Sequence, residues 1–365
     1  MKINDHKWER RILVTGGAGF IGANFLLYEL PKHPSWLFVN LDKLTYAANP
    51  DNLIDLKNSP NYIFHKGDIC DRNLLVDLFE RYNFDGLINF AAETHVDRSI
   101  MDPDFFFQTN LMGTLSLLET ARKSMTAGRA FRFHQVSTDE VYGSLEGSGR
   151  FSETSPHRPS SPYAASKASA DQAVMAYHRT YRMDTVITNC SNNFGPRQYP
   201  EKLIPLTILN CLSGKSIPIY GDGRQVRDWL YVEEHCRALE LVFEHGNSGK
   251  AYNISTGYEC ENLELVKMIC ELVDRISGET GHADLIKFVA DRPGHDRRYA
   301  LDASRIETEL GFEASCKFEH CLEQTVKWYI ENSRWLKNCL GSNYQKYYER
   351  WYGNNPGDSD ALQSD

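Results

Sequence analysis

Nowhere in the 365 residues is there an uninterrupted apolar run of membrane-spanning length, so no transmembrane helix and no membrane partner are expected. The polar, charged start from Met1 to Arg11 gives no secretory h-region. Basic residues are in the minority: 40 Lys and Arg face 49 Asp and Glu, a formal net charge of −9. That balance argues against general nucleic-acid binding, while a local basic cluster can still hold an anionic small ligand. The nine cysteines form no C-x-x-C pair, and Cys316 and Cys321 stand in a helical-looking segment without histidines in a metal pattern. Buried free thiols in a reducing cytoplasm, and no metal site, are the expectation. Internal repeats and long low-complexity tracts are missing as well. What remains is a globular composition, 41% hydrophobic and 24% charged, in a chain long enough for a large core and two domains. Residues 1–9 read as a loose polar extension, and the Gly-, Asp- and Ser-rich tail, residues 354–365, as disordered.

What the chain does have is a buried-strand pattern at residues 11–15 running straight into Gly16-Gly17-Ala18-Gly19-Phe20-Ile21-Gly22, with a helical run after it. Gly16 permits a tight turn, Gly19 lets backbone approach a pyrophosphate, and Gly22 lets helix and sheet pack closely. The helix N-terminus offers unpaired N–H groups and a positive dipole end to the phosphates. A second strand, 36–41, ends at Asp42. A carboxylate there accepts hydrogen bonds from an adenosine ribose and repels a 2′-phosphate, which favours NAD over NADP. Lys43 beside it softens that preference, and the plainer alternative is that Asp42 opens the next loop. Strands at 62–65 and 86–90 end near Asp68-Ile69, candidates to flank an adenine, and at Ala91-Ala92, small enough for a cofactor to pass close to backbone.

Helical spacing at 73–81, 105–123 and 164–181 alternates with these strands, which predicts α/β architecture with a Rossmann-type, doubly wound parallel sheet. The alternation weakens from Asn192 until Val232, and a helix (232–244), a strand (251–255), a helix (263–276) and a strand (286–289) follow. Two interleaved domains are expected. An NAD-binding unit takes 10–192, with return segments about 229–260 and 313–332; a smaller α/β substrate unit takes 193–228 and 261–312.

An alternating run, 131–136, leads into Ser137-Thr138-Asp139-Glu140-Val141-Tyr142-Gly143. Adjacent carboxylates at a strand's end are costly to desolvate without a purpose, and such ends are where open α/β sheets bind ligands. Tyr163 and Lys167 stand at i and i+4 of a helical run, one above the other. A phenol is a poor base at neutral pH unless a nearby cation favours its anion; Lys167 supplies that charge and Thr138 orients a substrate hydroxyl. Such a trio suits oxidation of a secondary alcohol.

With these residues the sequence resembles the extended short-chain dehydrogenase/reductase family and, within it, the dTDP-glucose 4,6-dehydratases. The matching pieces are residues 15–22, 91–99, 137–143, 161–167, 191–193, 200–205, 221–224, 226–229 and 291–299, spanning nearly the whole chain. The resemblance implies NAD as a resident cofactor, a nucleotide sugar as substrate and a homodimer. It implies oxidation at C4 of the sugar by Tyr163, C5 deprotonation by Glu140, protonation of the departing C6 hydroxyl by Asp139, and return of hydride to C6. Mutual repulsion raises the pKa of one carboxyl of the pair, and which one holds the proton stays open. Cofactor contacts implied by the resemblance extend to Lys43, Thr45 and Thr94. Substrate contacts extend to His95, Ser99, Asn193, Glu201, Lys202, Leu203, Tyr220, Asn262 and Tyr299, with Arg227, Arg292 and His295 as the phosphate cations. The family often has Ser where Thr94 stands, and Phe194, Arg197 and Tyr199 vary an aromatic loop in which Arg197 alters sugar or nucleotide contacts. A UDP-sugar decarboxylase or 4-epimerase shares the loop, Tyr and Lys, and a non-catalytic NAD-binding scaffold is the remaining alternative.

Overall fold

The computed structural model of the protein describes residues 7–125, 130–291 and 294–339; the expected disorder of the tail and the phosphate candidate Arg292 lie outside them. At the centre is a seven-stranded sheet. Its strands run in the order Tyr62–Lys66, Trp36–Asp42, Arg10–Thr15, Gly86–Asn89, Arg132–Thr138, Asp184–Cys190, Ala251–Ile254. Every pairing is parallel, with Ile12 opposite both Phe38 and Gly86. Strands covered on both faces read as continuous apolar runs rather than alternating ones, and Trp36–Asp42 is buried along its whole length. The chain starts in the middle, steps out to one edge, then returns to the other side of the first strand. The direction of travel therefore reverses between Arg10–Thr15 and Gly86–Asn89, and the crevice at that switch is where such sheets hold ligands.

On one face the helices Phe20–Lys32 and Val232–His245 pack around Phe25, Leu26, Val242 and Phe243. On the other, Arg72–Tyr82, Thr114–Ser124 and Pro162–Tyr181 enclose Leu75, Leu78, Leu117, Leu118 and Val174. The helix expected over 105–123 is broken into Pro103–Phe107, a π-helical turn Gln108–Gly113 and Thr114–Ser124. The turn has a packing reason: a Cβ on Gly113 would sit 2.4 Å from Ile69 Cδ1, and buried Asn110 bonds the Glu93 backbone and Ser166 Oγ. Such turns recur at functional sites.

A second core lies among Leu203–Ser213, Asn262–Ser277 and Phe318–Glu331, beside a three-stranded sheet (Glu259–Glu261, Val226–Tyr231, Asn192–Phe194) and a pair (Ile286–Val289, Ile217–Tyr220). Of the expected return segment 313–332, Ser315 and Cys316 bond Glu234 on the larger unit's helix Val232–His245, while Phe318–Glu331 packs on this second core. Phe318, Leu322, Val326 and Tyr329 are buried against Ile208, Ile269 and Trp229, because their apolar stripe matches the face left by the two other helices. Cys316 and Cys321 also depart from expectation. They are joined as a disulfide, brought together because Lys317 is extended and caps the helix that follows. The other seven cysteines are free thiols, six of them buried.

Candidate active site

The first strand ends at Thr15 and the chain turns at Gly16 with φ of 71°. A side chain is excluded there twice over, since an added Cβ would lie 2.6 Å from Ala91 N and the backbone is left-handed. Gly22 is as close to Gly16, a Cβ meeting its carbonyl at 2.5 Å. The helix Phe20–Lys32 thus starts hard against the switch point with Gly19 as its N-cap. Asp42, 7% exposed, accepts from Ala18 N at 2.8 Å and Leu44 N at 2.7 Å. Burial pushes its carboxyl up and those two N–H groups pull it back. Across the mouth Lys43 Nζ bonds Asp68 Oδ2 at 2.7 Å.

These groups line one side of a cleft of about 290 Å³. Gly16, Gly19, Phe20, Ile21, Gly22, Asp42, Lys43, Thr45, Asp68, Ile69, Ala91, Ala92 and Thr94 all face it. So do Thr138, Asp139, Glu140, Tyr163, Lys167, Asn193, Glu201 and Lys202. A backbone cradle that no Cβ fits, a helix N-terminus and a ribose-length carboxylate form a donor and acceptor set that suits a dinucleotide.

At the far side of the cleft Arg132–Thr138 ends in a short 3₁₀ turn, Asp139–Tyr142, capped by Thr138 Oγ1, which accepts from Glu140 N at 3.3 Å. The same hydroxyl donates to Asp139 Oδ1 at 3.2 Å. Asp139 is 2% exposed and its Oδ2 has no hydrogen-bond partner among the described residues. Its pKa is pushed well up, first by burial and then by the charges of Glu140 and Asp228. Burial and like charge both favour the protonated form of a carboxyl so placed. Tyr163 is buried beside it, its phenol pushed well up by burial first and then by Glu140, with a Thr138 hydrogen bond opposing. Lys167 donates to Val136 O at 2.7 Å rather than to the phenol, since a buried ammonium needs an acceptor; burial lowers its pKa and Asp171 raises it.

The remaining candidates fall into two groups. Next to Thr94, Lys202 Nζ donates to Thr94 O at 3.1 Å, and Glu201 accepts from Tyr46 OH at 3.0 Å with His95 Nε2 at 3.9 Å from it. His95 and Ser99 are buried behind the cleft wall, the latter donating to Val96 O, and Leu203 begins the next helix. The second group lies on the smaller unit. Arg227, 6% exposed, donates to Val226 O and Asp296 O, both at 2.9 Å, with its guanidinium 4.5 Å from the Tyr299 ring centre. His295 Nδ1 pairs with Asp291 at 2.6 Å beside the Tyr220 ring, and Asn262 starts the helix behind, its N–H donating to Gln225 O. Glu140 connects the groups, since its charge helps push the Tyr299 phenol up. Arg197 does not line the cleft: at φ of 70° it donates to Asn24 Oδ1 at 3.4 Å and ties its loop to the glycine helix.

Sequence reasoning missed several groups. Glu93 lines the cleft with its pKa pushed up to about 7, chiefly by burial. Asn110, Asp171 and Asp228 are buried around the reacting residues. The signal available was a polar residue on an apolar helix or strand face.

A parallel sheet with a glycine turn at its switch point, and Tyr163 and Lys167 on a helix beside it, defines a Rossmann-type short-chain dehydrogenase/reductase. Comparison with known proteins narrows the class. Residues 13–325 match the family described as GDP-mannose 4,6 dehydratase, and the chain belongs to that family. It is similar to the dTDP-glucose 4,6-dehydratase of Salmonella typhimurium, 48% identical over 94% of this chain and 99% of that one. It is similar also to the enzyme of that name from Neisseria meningitidis, 50% identical over 92% and 98%. Among solved structures, the Streptomyces venezuelae dTDP-glucose 4,6-dehydratase DesIV with NAD and TYD bound superposes with a TM-score of 0.84 at 45% identity, over 90% of this chain and 99% of that one. A UDP-glucose 4-epimerase from Thermotoga maritima shares the fold at 28% identity, with a TM-score of 0.79 over 88% and 99%.

Proposed function

We propose that the chain converts dTDP-glucose to dTDP-4-keto-6-deoxyglucose and water, with NAD held throughout the turnover. Bound NAD supplies the hydride acceptor for C4, the hydride donor for C6 and a positive charge near the phenol. Gly16, Gly19 and Gly22 hold its pyrophosphate and Asp42 its ribose. Tyr163 takes the C4 hydroxyl proton as the C4 hydride leaves, Thr138 orients that hydroxyl, and Lys167 favours the phenolate. The new ketone acidifies C5–H, and Glu140 removes that proton. Asp139 gives its proton to the C6 hydroxyl, which departs as water; hydride then adds to C6, and Glu140, its proton exchanged with solvent in the meantime, protonates C5. Over one turnover Tyr163 has gained a proton and Asp139 has lost one, so a proton passes from one to the other before the next. Arg227, Arg292 and His295 bind the diphosphate, arginine matching phosphate oxygens as a planar fork.

The observation that supports this reading most is Asp139, its carboxyl pushed well up by burial and set beside Glu140 and Tyr163 in one cleft. An epimerase has no use for that acid. Turnover of dTDP-glucose in deuterated water tests it: solvent deuterium enters C5 while the C4 hydrogen moves to C6. Product without label at C5 refutes the elimination.

Nucleotide preference is assigned to thymine on family grounds, a discrimination worth only ~1–3 kcal/mol in a hydrophobic pocket; comparing dTDP-, UDP-, CDP- and GDP-sugars measures it. The working form is a homodimer built on the 96–113 segment, where Ile100, Met101 and Met112 are about 40% exposed, and sedimentation checks it. Among the described residues no helix is long and apolar enough to cross a membrane. The seven free thiols suit a reducing cytoplasm, and the Cys316–Cys321 disulfide weighs against it.

A further inference from the structure

One turn beyond Lys167, the helix Pro162–Tyr181 carries an ionisable group that the reaction above leaves unused. Asp171 is 1% exposed, and an apolar interior does not keep a carboxylate without compensation. Its Oδ2 accepts the Ser137 hydroxyl at 2.6 Å. Lys167 Nζ bonds the carbonyl of Val136, the residue just before Ser137, at 2.7 Å. Two successive turns of the helix are therefore tied to two successive residues of the strand Arg132–Thr138, and the next two residues along are Thr138 and Asp139.

We propose that Asp171 is a positioning residue for the oxidation step: its carboxylate keeps the Lys167 ammonium charged in a dry site and, through Ser137, holds the strand end in register with Tyr163. The groups around it fit that role. Ser137 faces it from the strand Arg132–Thr138, Asn189 from Asp184–Cys190, Tyr142 from the turn after Thr138, and Lys167 from its own helix; of these only Lys167 is cationic. Lys167 is faced in addition by the Cys190 thiol of the neighbouring strand. Burial pushes the Asp171 carboxyl up to about 6, against the Lys167 charge and the Ser137 and Asn189 hydrogen bonds, so at neutral pH it is an anion. Burial pushes the Lys167 pKa down, and Asp171 is the largest influence holding it up.

The proposal rests on Lys167 promoting proton removal by Tyr163, so Lys167→Met is measured alongside. The assay is the pH profile of kcat and KM for the 4-keto product from the NAD-loaded full chain. In Asp171→Asn, nearly isosteric but neutral, the alkaline limb of kcat moves to lower pH by ~1 unit, because the ammonium loses its proton sooner. KM stays within about twofold. Asp171→Glu keeps the limb near its original place, and Ser137→Ala lowers kcat without moving it. If Asp171→Asn lowers kcat but leaves the limb where it was, or if Asp171→Glu moves it as far as Asn does, the charge role is wrong. The Glu variant decides alone if the Asn variant does not fold. Full activity in Lys167→Met refutes the proton-transfer reading itself, a result distinct from an unmoved limb in Asp171→Asn.

Discussion

Glu29 lies on the helix that begins at the glycine turn and is 2% exposed. Facing it from the helix Val232–His245 are Cys236, Glu240 and Glu244, and from its own end Lys32 and His33. Burial, reinforced by Glu240, pushes its carboxyl from 4.5 up to about 8. The folded protein therefore keeps a proton that the unfolded chain releases over that interval. Stability falls as pH rises from 4.5 to about 8; the cost is full above that window and absent below it. At about 1.36 kcal/mol per pKa unit, the cost is ~3 kcal/mol at pH 7 and has a ceiling of ~5 kcal/mol above pH 8. Glu29→Gln keeps the shape and removes the titration. The stability of the variant relative to the parent should rise by ~3 kcal/mol between pH 5 and pH 8, a gain of several degrees in thermal midpoint at the upper end. Thermal unfolding of both NAD-loaded proteins across that range is the assay. Two curves that run parallel with pH would refute the reasoning, because they would mean that Glu29 is ionised or relieved in the fold.

Glu140→Gln should still reduce bound NAD on mixing with dTDP-glucose yet form no dehydrated product, and absorbance of NADH with product analysis separates the two; unchanged turnover removes Glu140 as the base. Gly16→Ala forces a left-handed residue and a 2.6 Å contact with Ala91, so the purified variant should carry little NAD, as measured by release on denaturation. Arg227→Met should raise KM for dTDP-glucose at least ~10-fold, as expected for losing a charge-assisted phosphate contact, and leave NAD content unchanged. An unaltered KM would place the diphosphate elsewhere.

By itself the sequence determined the elements whose chemistry is local. A glycine pattern between strand and helix, Asp42 at the next strand's end, Thr138-Asp139-Glu140 after an alternating run, and Tyr163 four residues before Lys167 are all legible because a few neighbouring residues set turn, spacing and face. Only the tertiary structure decided what those groups experience. The Asp139 carboxyl is pushed well up because the fold buries it beside its neighbour Glu140 and brings Asp228 to it from a distant segment. Lys167 and Asp171 share a buried site because helix and strand dock there, Lys167 on the Val136 carbonyl and Asp171 on the Ser137 hydroxyl. The packing of Phe318–Glu331 on the smaller unit was hidden for the same reason, whereas the pairing of Cys316 with Cys321 is local and turns on the extended Lys317 between them. Periodicity tells which face of a helix is apolar, whereas the surface that covers it, and the desolvation that follows, depend on residues far off along the chain.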